Sequence, residues 1–196
     1  VLGTNPLAFG FPGGSEDVPV LLADFATSAV AAGKIMVARA KGAPLPPGSI
    51  QDAEGRPSTQ PQDYVDGGSL LPFGGHKGYG LMVVVELLGR VLTGSSAYAE
   101  DGRGGDVYGQ SGTLVLAMDP GLFRDAAEYA RDADATLRRI KAIPPAPGFD
   151  EVLLPGEPER QSRSERTRSG IPVEDTTLEA IRETAQSLGL PRDLLL

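Results

Sequence analysis

Cysteine and tryptophan are absent from the 196 residues, and histidine occurs once. Without cysteine there is no disulfide, no thiolate metal site and no cysteine nucleophile. A single histidine excludes a multi-histidine metal centre within the chain, so no metal is expected. Positive charge is also scarce. The net charge of −8 leaves no basic excess to hold nucleic acid or an anionic membrane surface, and neither partner is expected. No apolar run approaches the ~20 residues that span a bilayer. The longest, Leu81 to Leu92, carries Glu86 and Arg90 and reads as a core helix. The opening Val1-Leu2-Gly3-Thr4-Asn5-Pro6 has no signal-peptide pattern and reads as the interior of a longer protein. An N-terminal part is therefore expected to be missing. The lack of cysteine fits a cytoplasmic location.

What is present is a globular composition, 40% hydrophobic, enough for a real core. Val18 to Phe25 reads as a buried strand, with Thr27 or Ser28 capping a helix over roughly Ala29 to Lys41. Gly42 and the following prolines stop that helix, and residues 43 to 75 read mostly as loop. A helix is expected over Gly78 to Leu92, with Glu86 and Arg90 on one face. Residues 94 to 112 are expected to form a mobile loop and Gly112 to Met118 a strand. Pro120 to Lys141 reads as a charged amphipathic helix. Val152 to Leu154 is a short strand candidate. Thr176-x-x-Glu179 is a capping box for a last helix. The balance is mixed α/β, without the regular alternation of a doubly wound sheet.

The densest chemistry lies in Leu70 to Leu81, which packs four glycines, Lys77 and the lone His76 just before an apolar run. A glycine-rich turn entering a helix presents backbone N–H groups and partial positive charge. Glycine permits close approach of a ligand, and lysine suits a phosphate or carboxylate. Neither G-x-G-x-x-G nor the P-loop pattern occurs, so a nucleotide must be held in another way. Asp24-Phe25-Ala26-Thr27-Ser28 reads either as a ligand loop, with Asp24 accepting from a ribose hydroxyl, or as a cap with a buried aspartate. His76, without another titratable group nearby, reads as a solvated loop histidine rather than a catalyst. Pro155-Gly156-Glu157-Pro158-Glu159-Arg160, followed by Arg163, Arg166 and Arg168, is either a solvated charged linker or a phosphate clamp. Lys34 could turn back toward Asp24 or simply face water.

The order of these blocks carries more than any one of them. Gly3-Thr4-Asn5-Pro6, Asp24-x-Ala26-Thr27-Ser28, Ala32-Gly33-Lys34, Gly74-Gly75-x-Lys77-Gly78-Tyr79-Gly80-Leu81, Leu154-Pro155-Gly156-Glu157 and Gly170-Ile171-Pro172 follow one another. The sequence so resembles the malate/L-lactate dehydrogenase family, which includes L-sulfolactate and ureidoglycolate dehydrogenases and cyclic-imine reductases. The resemblance implies a non-Rossmann cofactor fold, a mainly antiparallel sheet with helices around it. It implies an NAD(P)-dependent oxidoreductase, using NAD or NADP, that moves a hydride between the nicotinamide and a 2-hydroxy acid or related imine. By position, Thr4, Asp24, Phe25 and Ala26 would line the cofactor. His76 and Lys77 would sit near its ribose or phosphates, and Pro155, Gly156, Glu157 and Arg160 would close over it. Lys34 would lie near the reaction centre.

The resemblance further implies a homodimer. It divides the chain into a cofactor-binding domain, residues 1–145, and a closing segment, residues 146–196, that packs on the missing N-terminal part. The family's acid/base histidine belongs to that part, and His76 is not it. Pro47-Gly48 is followed by Ser49-Ile50 where the family carries tryptophan, a difference that bears on substrate shape. A different expectation is an inactive remnant that binds a nucleotide or a partner subunit without catalysis.

Overall fold

The computed structural model describes residues 2–12, 21–95 and 112–190. The expected loop over 94–112 and the start of the expected first strand lie largely outside them. The fold is mixed α/β: among the described residues all strand pairings are antiparallel, in one two-stranded and one three-stranded sheet, with helices between. The chain divides into two units, residues 1–27 with 80–165, and residues 28–79 with 166–196.

In the first unit, β1 (Leu7–Phe11) pairs with β2 (Leu21–Phe25), Leu7 opposite Phe25 and Phe11 opposite Leu21. The open end of this ladder is tied by side chains. Thr27 is fully buried. Its N–H donates to the Thr4 carbonyl at 2.9 Å, and its hydroxyl lies 2.8 Å from the Asn5 carbonyl and 3.1 Å from that of Thr4. Asn5 holds φ at +38°, a conformation that asparagine tolerates better than most L-residues. Its side chain accepts from the Gly3 N–H at 2.7 Å and donates to Glu86 at 2.8 Å. Glu86 in turn pairs with Arg90 at 2.7 Å.

Helix α4 (Ala126–Lys141) is capped by Asp125, whose carboxylate accepts from the Glu128 N–H at 2.9 Å. Its last turn carries Arg138, Arg139 and Lys141, opposite in sign to the helix C-terminus. Helix α5 (Glu157–Ser169) has Glu157 and Glu159 in its first turn and Arg166 and Arg168 in its last, so the charges at its two ends suit the dipole.

The second unit holds β3 (Ile50–Gln51) between β4 (Pro57–Ser58) and β5 (Ser69–Leu70). Ile35 from α1 (Ala32–Ala40), Leu45 and Ile50 are buried together, with Val30, Ala38, Tyr64 and Leu70 packed on them. Helix α2 (Pro61–Val65) begins on a proline, which loses no needed hydrogen bond there. The segment expected to be loop over 43–75 thus contains three short strands and a helix. Helix α6 (Asp175–Ser187) follows, and Glu174 before it pairs with Lys41 at 2.9 Å.

Several local expectations are corrected. Thr27 and Ser28 cap nothing. Helix α1 starts at Ala32 with Ala31 as N-cap, because the Thr27 hydroxyl is spent on carbonyls 22 and 23 residues away. Helix α3 (His76–Glu86) begins two residues before the expected Gly78 and ends in a wider π-turn, Leu87–Val91, closed by Leu92 N–H to the Leu87 carbonyl at 2.8 Å. The Pro120 to Lys141 helix is broken into a 3-10 turn, Pro120–Leu122, and α4, because Asp125 caps a fresh start. Residues 112–118 and 152–154 form no strand, since no described strand lies alongside them. The capping box does not form, and α6 starts at Asp175 without a side-chain cap. The Pro155 to Arg168 stretch is helix from Glu157 onward rather than a linker.

Candidate functional site

The first unit contains a groove of about 940 Å³. One wall is Leu22 to Phe25 of β2, a second is the turn Leu153 to Gly156, and the third is the start of α5 with Pro158, Glu159, Arg160 and Arg163. The first two walls are stitched together by the Leu22 N–H, which donates to the Pro155 carbonyl at 3.3 Å. The turn needs a glycine at its last position. Gly156 is buried at φ +93°. A Cβ there would come within 3.3 Å of the Leu22 carbonyl oxygen and 3.2 Å of the Arg160 guanidinium. Glycine alone takes that φ cheaply and lets the turn lie against β2.

Five of the expected cofactor residues line this groove: Asp24 and Phe25 from β2, Pro155 and Gly156 from the turn, and Arg160 from α5. Asp24 is exposed, not buried, which removes the reading of it as a buried turn-holder. Among the described residues no side chain pairs with its carboxylate. Glu157 stands behind the groove rather than in it. Its carboxylate accepts from Lys141 at 2.7 Å and from the Leu154 N–H at 2.8 Å. Desolvation pushes Glu157 up, but its bonds to Lys141 and the Leu154 N–H, with the charges of Lys141 and Arg160, outweigh that and hold it below the usual glutamate range. Thr4 and Ala26 do not line the groove. Thr4 gives its carbonyl to Thr27, at the end of β2 next to Ala26.

The remaining expected residues belong to the second unit. Gly74 and Gly75, at φ +56° and +61°, turn the chain into α3, so that His76 and Lys77 fall in its first turn. A Cβ on Gly78 would collide with the Phe73 carbonyl, so that glycine is required by the turn itself. His76, Lys77 and Lys34 are exposed. Among the described residues their side chains make no hydrogen bond or ion pair with one another. Lys77 therefore presents a cation beside the first-turn N–H groups of a helix, the arrangement that attracts anions.

Lys141 is a residue that sequence reasoning passed over. Its partners lie 10 and 16 positions further on, outside any helical spacing, so only its place at the end of a charged helix could have drawn notice. Among the described residues no cluster of three metal-ligating side chains occurs, and no helix is long and apolar enough to cross a membrane.

Comparison with known proteins bears on what the groove holds. Residues 1–182 match the family described as malate/L-lactate dehydrogenase. The malate/(S)-sulfolactate dehydrogenase of Methanothermus fervidus is 36% identical over 193 residues, 97% of this chain and 54% of that protein. A Δ1-pyrroline-2-carboxylate reductase of Ancylobacter novellus is 41% identical over 180 residues, 88% of this chain and 50% of that protein. Among solved structures, the sulfolactate dehydrogenase of Methanocaldococcus jannaschii superposes with a TM-score of 0.68 at 31% identity, covering 97% of this chain and 54% of that one. The chain spans about half the length of the curated relatives it matches.

Proposed function

Because the chain belongs to the malate/L-lactate dehydrogenase family, we propose that it is the cofactor-holding part of an NAD(P)-dependent oxidoreductase acting on a small 2-hydroxy acid or related cyclic imine. The observation that carries this reading is the groove. Its volume of about 940 Å³ lies within the range of roughly 300–1,000 Å³ usual for ligand pockets. Its walls combine apolar side chains with a few charged groups, Asp24, Glu159, Arg160 and Arg163. The glycine at 156 lets backbone pack where a Cβ would intrude. That donor set fits a dinucleotide: apolar faces for rings, a carboxylate for ribose hydroxyls, guanidinium groups for phosphates.

When bound, nicotinamide supplies the hydride chemistry. The chain's own residues orient it. Asp24 accepts from a ribose hydroxyl, and Phe25 offers an apolar face. Arg160 meets phosphate, with Pro155 and Gly156 closing the turn over it and Glu157 holding that turn in shape. Thr4 and Ala26 hold the end of β2. Lys77 and His76 supply a further anion contact. Lys34 is the residue of this chain assigned to the reaction centre. The group that exchanges the substrate's hydroxyl proton, a general acid/base, is assigned to the half of the family's length that this chain does not span. A cytoplasmic homodimer belongs to the same reading.

A second reading, a folded nucleotide-binding chain without turnover, rests on the groove alone. One pair of measurements separates the two. Calorimetric titration with NADH and NADPH should give saturable heat with at least one. Assays with malate, lactate, sulfolactate and Δ1-pyrroline-2-carboxylate then report turnover. Binding without turnover selects the second reading. No heat with either dinucleotide, on a sample folded by circular dichroism, refutes both.

A further inference from the structure

We propose that Lys141 is a positioning residue for the groove: it clamps the turn that forms one wall without reaching the groove itself. Lys141 ends α4. Its ammonium donates to Glu151 at 2.8 Å, to Glu157 at 2.7 Å and to the Val152 carbonyl at 3.3 Å. An ammonium has three N–H donors, and here each has an acceptor in the segment 151–157. Glu157 passes the constraint on, because the same carboxylate oxygen accepts from the Leu154 N–H at 2.8 Å. From the opposite side the Pro155 carbonyl is held by the Leu22 N–H of β2.

The turn is thus fixed at both ends, and the residues so fixed, Leu153 to Gly156, are those that line the groove. Lys141, Glu151 and Glu157 are not among the lining residues. Glu157 also starts α5, so the clamp sets the direction in which Glu159 and Arg160 leave the turn. The Glu157 side chain is only 15% exposed. Without Lys141 its charge would keep one backbone N–H, the more distant charge of Arg160 and little water. The turn would then have to open to hydrate the carboxylate. Hydrogen bonds to Glu151, then Glu157, hold the Lys141 ammonium above the usual lysine range, in line with a cation committed to these partners.

The inference rests on the proposed cofactor reading of the groove, and its test keeps the two apart. Wild type, Lys141→Met and Lys141→Arg would be titrated with NADH and NADPH. Exchange of the Leu154 amide would be followed in the same samples without ligand. Expected are a tenfold or greater loss of affinity in Lys141→Met, faster Leu154 exchange and unchanged far-UV circular dichroism. Lys141→Arg should recover most of the affinity. Glu151→Gln, which keeps the Lys141–Glu157 pair, should weaken binding less than Lys141→Met and serves if the latter fails to fold. Equal affinity in wild type and Lys141→Met, unchanged Leu154 exchange, or no recovery by arginine overturns the role of Lys141 and leaves the cofactor reading intact. A wild type that binds neither dinucleotide overturns the cofactor reading, and the positioning role falls with it.

Discussion

Replacing Thr27 with valine should destabilise the first unit by about 2–3 kcal/mol, in the upper part of the range for stranding a buried acceptor. The side chain is fully buried, and valine keeps its volume while removing the hydroxyl. The Thr4 carbonyl retains the Thr27 N–H at 2.9 Å. The Asn5 carbonyl loses the hydroxyl that donates to it at 2.8 Å. Asn5 is itself 9% exposed and held at φ +38°, so water cannot readily replace the bond and the strained residue loses a tether. Serine at the same place keeps the hydroxyl and gives up one methyl, which should cost about 1 kcal/mol. The chain has no tryptophan, so urea unfolding would be followed by far-UV circular dichroism, with stabilities compared at equal m. The order wild type, serine, valine is the expected ranking. If valine matches wild type, or serine is the worse of the two, packing rather than hydrogen bonding joins these segments and the reasoning fails.

Lys77→Ala should leave stability unchanged or slightly raised, since a cation in a helix's first turn opposes the dipole, while weakening dinucleotide binding by about 1.5–3 kcal/mol, the worth of a charge-assisted bond. A fallen melting temperature with intact affinity would make Lys77 structural. Gly156→Ala should cost at least about 1–2 kcal/mol from its left-handed φ alone and narrow the groove, which paired melting and titration would report. Glu157 is held below the usual glutamate range, so its contribution to stability is complete above the ordinary value of 4.5 and is lost as pH falls through its lowered value. Urea midpoints for wild type should therefore fall more steeply in that acid window than for Glu157→Gln. Parallel acid limbs would refute the assignment.

How much was legible depends on how local each signal was. The helical nature of residues 126–141 and 78–92 could be read because the apolar and charged patterns that signal it are contained within those segments, although the starts of both helices were not. The N-cap assigned to Thr27 failed for a physical reason. A small hydroxyl that can cap a helix can equally satisfy a carbonyl brought in from elsewhere, and the chain nearby does not say which partner will arrive. The stretch from Pro155 reads as a charged linker or a phosphate clamp, not as a helix, because it is so polar. Its acidic start and basic end nevertheless carried a helix signal that hydrophobic periodicity cannot register. Thr113 to Met118 has the composition of a strand, yet β-propensity is realised only against a partner strand, and none lies beside it among the described residues. The pairing of Lys141 with Glu151 and Glu157 could not be read at all, since it depends on where the end of α4 meets the following turn.

The blocks that resemble the family divide into residues that build and residues that line the groove. Leu22 to Phe25 all line the groove, with Ala23 half-buried and Asp24 exposed, so a slip of one residue in the β1–β2 ladder would exchange the faces of the strand and displace Asp24 along that wall. A two-stranded ladder is weak at specifying its own register. Here the register is pinned just past its end, where Thr27 holds Thr4 and Asn5, and Asn5 holds Glu86. Asn5 and Thr27 therefore matter to the groove without lining it. Losing them should loosen the register of β2, and with it the place of Asp24, before it removes any contact with a ligand. Binding by Thr27→Val should accordingly fall along with stability, whereas Asp24→Asn should weaken binding while the urea midpoint stays within the error of wild type.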